Sequence, residues 1–338
     1  MERGTLIVDQ YGAFLGKHSE RLRVTVKGQM VAEAPLMDVE HVLVIASGVG
    51  ISSDAIRECA ERGIPITFLS RSGRPYARLI SPDLVGTAKT RREQLLAYLD
   101  RRGVTLGKAF ATGKIANQAV LLKYMNKYRK ATDAAVYGDV RDAAIEIQHL
   151  GDLVRALPGE TMDAVRPQLM NLEGRAAELY WRAMQRLLLA DVDWAGRETR
   201  GAQDVVNMAL NYGYGVLYTQ VETAVLLAGL DPYAGFVHVD RAGKPSLVLD
   251  LIEEFRQQVV DRPLFALLNK GVELKLDGER FAEATRRLLA DKVLERLDGE
   301  EPYEGKKHKL RTIIQSQARH VATFVRGEGK YAPFVGRW

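Results

Sequence analysis

The chain has 338 residues, 46% of them hydrophobic and 27% charged, with a net charge of +5 and a single cysteine. That is the composition of an ordinary globular protein, long enough for two domains that each bury a core. It excludes an internal disulfide framework and a thiolate zinc cluster within one chain, and no run of 18 or more apolar residues supports a membrane span.

The N-terminal segment lacks signal-peptide architecture, so a cytoplasmic protein without membrane partners is expected, with Cys59 as a buried, inert thiol. Residues 1 to 82 read as β-rich. Thr5–Val8, Arg21–Val26, Val39–Ile45, Ile64–Leu69 and Tyr76–Ile80 are short runs rich in β-branched residues, and the alternation in Arg21–Val26 predicts a strand with one wet face. One helix is predicted between the third and fourth runs, from the cap signal Ser52-Ser53-Asp54 to Gly63, with Ala55, Ile56, Cys59 and Ala60 as its apolar stripe. Ser81-Pro82-Asp83 reads as a linker.

Beyond it the period is helical. Segments near 88–102, 107–128, 133–150, 161–191, 199–229, 246–260, 263–270, 278–296 and 306–327 are helix candidates, punctuated by Gly103, Gly138, Pro158-Gly159 and Gly299–Pro302. The fold class is therefore α+β and multidomain: a small β-rich N-terminal domain, 1–82, followed by a larger all-α domain, 83–338. Charge is uneven along it. Residues 86–130 carry eleven Lys or Arg against two acids, and residues 306–338 carry eight against one. Such segments are either the footprint of a polyanion partner, most simply nucleic acid, or solvent-facing sides of helices.

Three helical stretches carry chemistry-bearing residues. In the first, Glu173 falls inside the apolar arc formed by Leu172, Ala176, Tyr180, Met184 and Leu187, whereas Glu178 lies on the solvated side. A carboxylate on a buried face needs a metal, a cation such as Arg175, or the helix dipole. In the second, Asn207, Asn211, Tyr214 and Tyr218 recur near helical spacing around Gly213 and Gly215. The glycines point to close packing, and Asn211 and Tyr214 are candidates for orienting a phosphate or a metal-bound water.

The third runs from Gly235 to Arg256. His238 closes an apolar run that reads as extended, Gly243-Lys244-Pro245 forms a turn, and a helix follows with Leu247, Val248, Leu251, Ile252 and Phe255 as its stripe. At about 100° per residue the stripe covers roughly 0 to 140°, and Asp250 and Glu253 fall near 300° and 240° on the other face. Such a pair is either simply solvated or, with His238, an oxygen-rich site suited to Mg²⁺ or Mn²⁺. No P-loop, G-x-G-x-x-G or serine-triad order accompanies it, so nucleotide hydrolysis and acyl transfer have no support.

These motifs in this order, Leu172–Ala177 with Glu173, Asn211–Gly215 and His238–Arg256, resemble the universal CRISPR-associated integrase, the DNA nuclease subunit of spacer acquisition in antiviral defence. Ser52–Arg57, Arg78–Pro82, Phe324–Glu328 and Tyr331–Phe334 extend the resemblance over the full length. It implies that the N-terminal domain mediates homodimer formation and that the helical domain binds DNA and one divalent metal, Mg²⁺ or Mn²⁺, through Glu173, His238 and Glu253. Asp250 is then a supporting or water-mediated ligand, with Asn211 and Tyr214 nearby. The implied reaction inserts short DNA fragments into a CRISPR array by attack of 3′-hydroxyl ends on target phosphodiesters, in an assembly with a small ferredoxin-like subunit. A general metal nuclease on branched DNA and a catalytically silent DNA-binding scaffold are the alternatives. Lys244, Lys306, Lys307, Lys309 and Arg311 are candidate phosphate contacts.

Overall fold

The computed structural model describes residues 4–81, 88–199, 201–239 and 241–337. The expected linker at Ser81-Pro82-Asp83 runs into residues outside that description. The chain forms two compact units. The first takes in Met1–Val85 together with two later segments, Asn211–Thr219 and Leu274–Leu294, and the second holds the remainder.

In the first unit, eight strands and a helix follow one another: β1 (Gly4–Val8), β2 (Phe14–His18), β3 (Arg21–Val26), β4 (Gln29–Pro35), β5 (Val39–Val44), β6 (Gly50–Ile51), α1 (Ser53–Glu61), β7 (Ile66–Leu69) and β8 (Pro75–Leu79). They build two four-stranded sheets, ordered β1-β5-β7-β8 and β4-β3-β2-β6. β5 runs parallel to β1 and β7, whereas β3 pairs antiparallel with both β2 and β4. β2 and β4 lack a strong strand pattern of their own, and it is pairing with the two edges of β3 that makes them strands. The alternation of β3 is real: Leu22 and Val24 are buried and join Val8, Leu15, Val42, Val44, Ala55, Cys59 and Ile66 in one core.

The predicted cap signal starts α1, where Ser52 Oγ accepts from the Ala55 N–H at 3.2 Å. Cys59 is buried and free, and burial first, then Glu58, raises its thiol to about 11, so it is inert near neutral pH.

The remaining chain is mostly helical: α2 (Ala88–Ala97), α3 (Arg101–Asn126), α4 (Arg129–Thr132), α5 (Ala134–Ala156), α6 (Met162–Leu187), α7 (Val205–Leu227), α8 (Ser246–Ile252), α9 (Arg262–Asn269), α10 (Glu283–Asp298) and α11 (Leu310–Val325). The architecture is thus mixed, a β-rich N-terminal region followed by a mostly helical one, although the second region is not wholly helical. Two hairpins interrupt it, β9 (Leu276–Asp277) with β10 (Arg280–Phe281) and β11 (Glu300–Tyr303) with β12 (Lys306–Lys309). The stretch 306–327 therefore begins as a strand, because Lys306–Lys309 pair with Glu300–Tyr303 before α11 starts.

Gly103 and Gly138 do not break helices. Asp100 caps α3 by accepting from the Arg102 N–H at 2.8 Å, which puts the break at residues 98–100 and Gly103 in the first turn, while Gly138 lies within α5. Gly215 of α7 does serve close packing. A Cβ at Gly215 would stand 1.7 Å from the Gly73 carbonyl oxygen, and Gly73 itself has φ +80° in the turn between β7 and β8. Among the described residues no helix is long and apolar enough to cross a membrane.

Candidate active site

The segment Gly235–Val239 is not a strand. Its backbone bends at residues 236–238, and what shapes it is a carboxylate that periodicity puts on a polar face. Asp250 on α8 is 1% exposed and accepts four hydrogen bonds from this one segment: from the backbone N–H groups of Phe236 (2.6 Å), Val237 (3.0 Å) and His238 (3.0 Å), and at His238 Nδ1 (2.7 Å). Three consecutive N–H groups converging on an anion form a nest, which compensates the burial of the charge. Arg166 on α6 closes the loop from its carbonyl side, donating to Phe236 O at 3.0 Å and Val237 O at 3.1 Å. Gly235 permits the approach, since a Cβ there would lie 2.6 Å from the backbone of Ser246. His238 is left about one quarter exposed, with one ring nitrogen committed to Asp250 and Nε2 as its other face.

Glu253 follows the last residue of α8 and is also buried, at 7% exposure. All of Ser246–Ile252 apart from Leu249 is buried too, so α8 has no solvated face to carry the acid pair. Glu253 Oε1 pairs with Arg256 Nη1 at 3.1 Å, and Oε2 faces Lys114 Nζ at 2.9 Å without a hydrogen bond of good geometry. The Lys114 ammonium also donates to Glu173 Oε1. Glu173 and Glu253, eighty residues apart in sequence, thus converge on one cation. Arg175 does not serve Glu173, lying instead 3.9 Å from Glu146, and Glu178 is exposed and paired with Arg182.

The charges reinforce one another. Burial pushes the Glu253 carboxyl up, but Arg256, Lys114 and His238 outweigh it and hold it down at about 2. For Lys114 burial works against the ammonium, and Glu253 and Glu173 more than reverse it, so its pKa lies above the usual lysine value. Lys114 and Arg166 belong to no motif in the sequence, and Arg256 closes the His238–Arg256 motif without having been assigned a role there. Lys114 nevertheless carries a signal: it sits in α3 among Phe110, Ala111, Gly113, Ile115 and Asn117, all buried, the same kind of misfit that marks Glu173.

Among the described residues no three His, Cys, Asp or Glu side chains are arranged to hold a metal ion, and the place of a cation between the two glutamates is taken by the Lys114 ammonium. The chemistry of the set nevertheless fits a hard divalent ion. It offers two carboxylates, of which the buried Glu253 Oε2 already faces a cation at 2.9 Å, and a partly exposed imidazole fixed through its other nitrogen.

Asn211 and Tyr214 lie on α7, in the segment Asn211–Thr219 that belongs to the first unit. Asn207 holds the first turn of α7, donating to Gly196 O at 2.7 Å and to Asp204. Lys244 is half-buried in the turn before α8, Lys306 and Lys307 are exposed on β12, and Lys309 is the half-buried N-cap of α11. Arg311 is not an open phosphate contact: its guanidinium is paired with Asp298 through two contacts of 2.8 and 3.0 Å, and its side chain is 10% exposed.

The same architecture occurs in a casposase solved bound to an integration product, with a TM-score of 0.81 at 19% identity over 98% of this chain and 93% of that one. It occurs again in a CAS1 protein from Thermotoga maritima, with a TM-score of 0.77 at 18% identity, covering 98% and 99%. The fold is therefore that of CAS1 proteins and casposases. The chain belongs to the family described as CRISPR associated protein Cas1, whose profile matches residues 6–296. A curated relative, the CRISPR-associated endonuclease Cas1 1 of Archaeoglobus fulgidus, is 40% identical across 98% of this chain and 99% of its own length.

Proposed function

We propose that this protein is a metal-dependent DNA endonuclease and integrase that joins short DNA fragments to a CRISPR array, with Glu173, His238 and Glu253 as its reactive site. The observation that carries this reading is the convergence of Glu173 and Glu253 on one buried cation beside a histidine held by Asp250, in a chain whose curated relative is named an endonuclease. Glu173, His238 and Glu253 would hold a Mg²⁺ or Mn²⁺ ion, which when bound supplies Lewis-acid polarisation of a phosphodiester and stabilises charge on the displaced oxygen.

This chain's own residues prepare the site. Asp250 fixes the tautomer and direction of His238, so that Nε2 is the nitrogen presented to a ligand. Arg256 and Lys114 keep Glu253 ionised across the physiological range. Lys114 and Arg256 also place fixed positive charge where a phosphate would enter, at no reorganisation cost during reaction. Affinity for DNA comes from the basic segments, of which Lys306 and Lys307 are the exposed members on β12. A homodimer and a small ferredoxin-like partner subunit complete the proposed assembly.

The test supplies a duplex with free 3′-hydroxyl ends, a supercoiled CRISPR-array target and Mn²⁺. Joined products are expected, and they should vanish in Glu173→Ala, His238→Ala and Glu253→Ala while DNA affinity is retained. Nicks without joining would assign the site to hydrolysis alone, and unchanged joining in His238→Ala would remove the reading altogether.

A further inference from the structure

The residue after Glu253 is a fully buried acid, and nothing in the proposed reaction uses it. Glu254 is 0% exposed, and three groups donate to its carboxylate: Tyr331 Oη at 2.6 Å, Gln317 Nε2 at 2.8 Å and the Phe334 N–H at 2.8 Å. Two of the three come from the C-terminal segment Tyr331–Phe334, a motif of the sequence to which the proposed reaction gives no role.

That segment is fastened just as closely to α3, beside Lys114. Asn117 donates to Phe334 O at 2.8 Å and to Glu254 O at 2.9 Å, and its Oδ1 accepts from the Gly336 N–H at 2.9 Å. The carbonyl of Glu254 needs such a donor because the helical ladder is interrupted between α8 and the π-turn at Gln257–Asp261. Gly113, which precedes Lys114, has no room for a side chain: a Cβ would lie 2.7 Å from Pro333 and 3.0 Å from the Glu254 side chain. Phe334 stacks on Phe255 at 5.3 Å, and Tyr331 meets Phe110 edge-on at 5.6 Å.

We infer that Tyr331–Gly336 is a positioning element of the reactive site, a strap that fixes the backbone at Gly113 and Glu254 and thereby the side chains of Lys114 and Glu253 next to them. The inference rests on the reading of Glu173, His238 and Glu253 as the site. The strap touches no reacting group. It acts through Glu254 and Asn117, and its removal should loosen the geometry at Glu253 before it affects DNA binding.

The experiment uses the full-length protein carrying Tyr331→Phe, which removes one hydroxyl, and separately Glu254→Gln, with Glu253→Ala as the reference. Turnover in a DNA-nicking assay with Mn²⁺ is measured well below each variant's melting temperature, alongside DNA affinity and calorimetric titration with Mn²⁺ alone. Ångström-scale misplacement of reacting groups can cost about 10²-fold. The expected result is a fall in kcat on the order of tenfold in both variants, with weaker Mn²⁺ binding and unchanged KM and DNA affinity. A lowered melting temperature with wild-type kcat in both would reduce the strap to a structural staple and overturn the proposal. If Glu254→Gln does not fold, Tyr331→Phe alone decides by the same criterion. An active Glu253→Ala would overturn the site reading and this inference with it, whereas an inactive Glu253→Ala beside unaffected strap variants overturns the strap alone.

Discussion

Lys114 is the residue on which the site's electrostatics turn, because it is the shared counter-ion of two carboxylates drawn from different helices. Lys114→Met leaves Glu253 buried with Arg256 as its ion-pair partner and, among the described residues, leaves Glu173 with none. Removing one partner of a buried pair costs about 3–5 kcal/mol, and since Glu173 is 24% exposed the lower end, about 3 kcal/mol, is expected in urea denaturation. Adding Mn²⁺ should recover part of that loss, because an ion that binds only the native state stabilises it by mass action. Glu254 makes the opposite kind of prediction. Burial raises it from 4.5 to about 7 despite its hydrogen bonds from Tyr331, Phe334 and Gln317. A carboxyl whose folded pKa is raised binds more protons folded than unfolded between those values, so stability should fall as pH rises from 4.5 to 7, by up to about 3 kcal/mol from this group. Unfolding measured at pH 5 and pH 7.5 checks this, and Glu254→Gln should flatten that part of the profile.

At the scale of elements, the loop before α8 and the helix itself form one device. Asp250→Asn keeps the shape but turns an acceptor of four hydrogen bonds into a group with one acceptor oxygen, so the nest of Phe236, Val237 and His238 N–H groups loses partners. Unsatisfied buried donors cost about 1–3 kcal/mol, and His238 loses its fixed tautomer, so nicking should fall together with stability. In the first unit, Gly215→Ala forces a Cβ onto the Gly73 carbonyl and should lower stability by about 3 kcal/mol, at the upper end for overpacking because backbone must move; thermal unfolding checks it.

For the whole molecule, binding to DNA should be governed by exposed charge. Replacing both Lys306 and Lys307 by Ala should weaken binding at low salt and flatten the plot of log affinity against log salt by about 0.9 for each phosphate of the duplex that is no longer neutralised. Arg311→Ala should instead lower stability and leave that slope unchanged, because its guanidinium is already committed to Asp298. Affinity measured from 50 to about 300 mM salt separates the two outcomes.

The mixed architecture is legible in the chain, because the period of hydrophobic residues changes from short β-branched runs to helical spacing after about residue 82. So is the misfit of Glu173 in an apolar arc, since helix geometry alone says which way a side chain faces. Pattern does not show that β2 and β4 are strands, for their pairing is supplied by β3. Nor does it show that Asp250 and Glu253 are buried. Every residue of α8 but Leu249 is buried, as is Glu253 just beyond it, and a helical wheel only ranks faces against one another. The family and the three side chains proposed for the site follow from residue identity and order, so the chain carries them before it folds. What surrounds those side chains is fixed by folding: Lys114 between two glutamates, Asp250 holding the His238 loop, and the C-terminal strap behind Glu254. Lys114 meets its glutamates, and Tyr331 meets Glu254, across long stretches of chain, where local periodicity carries no information and packing alone selects the partner.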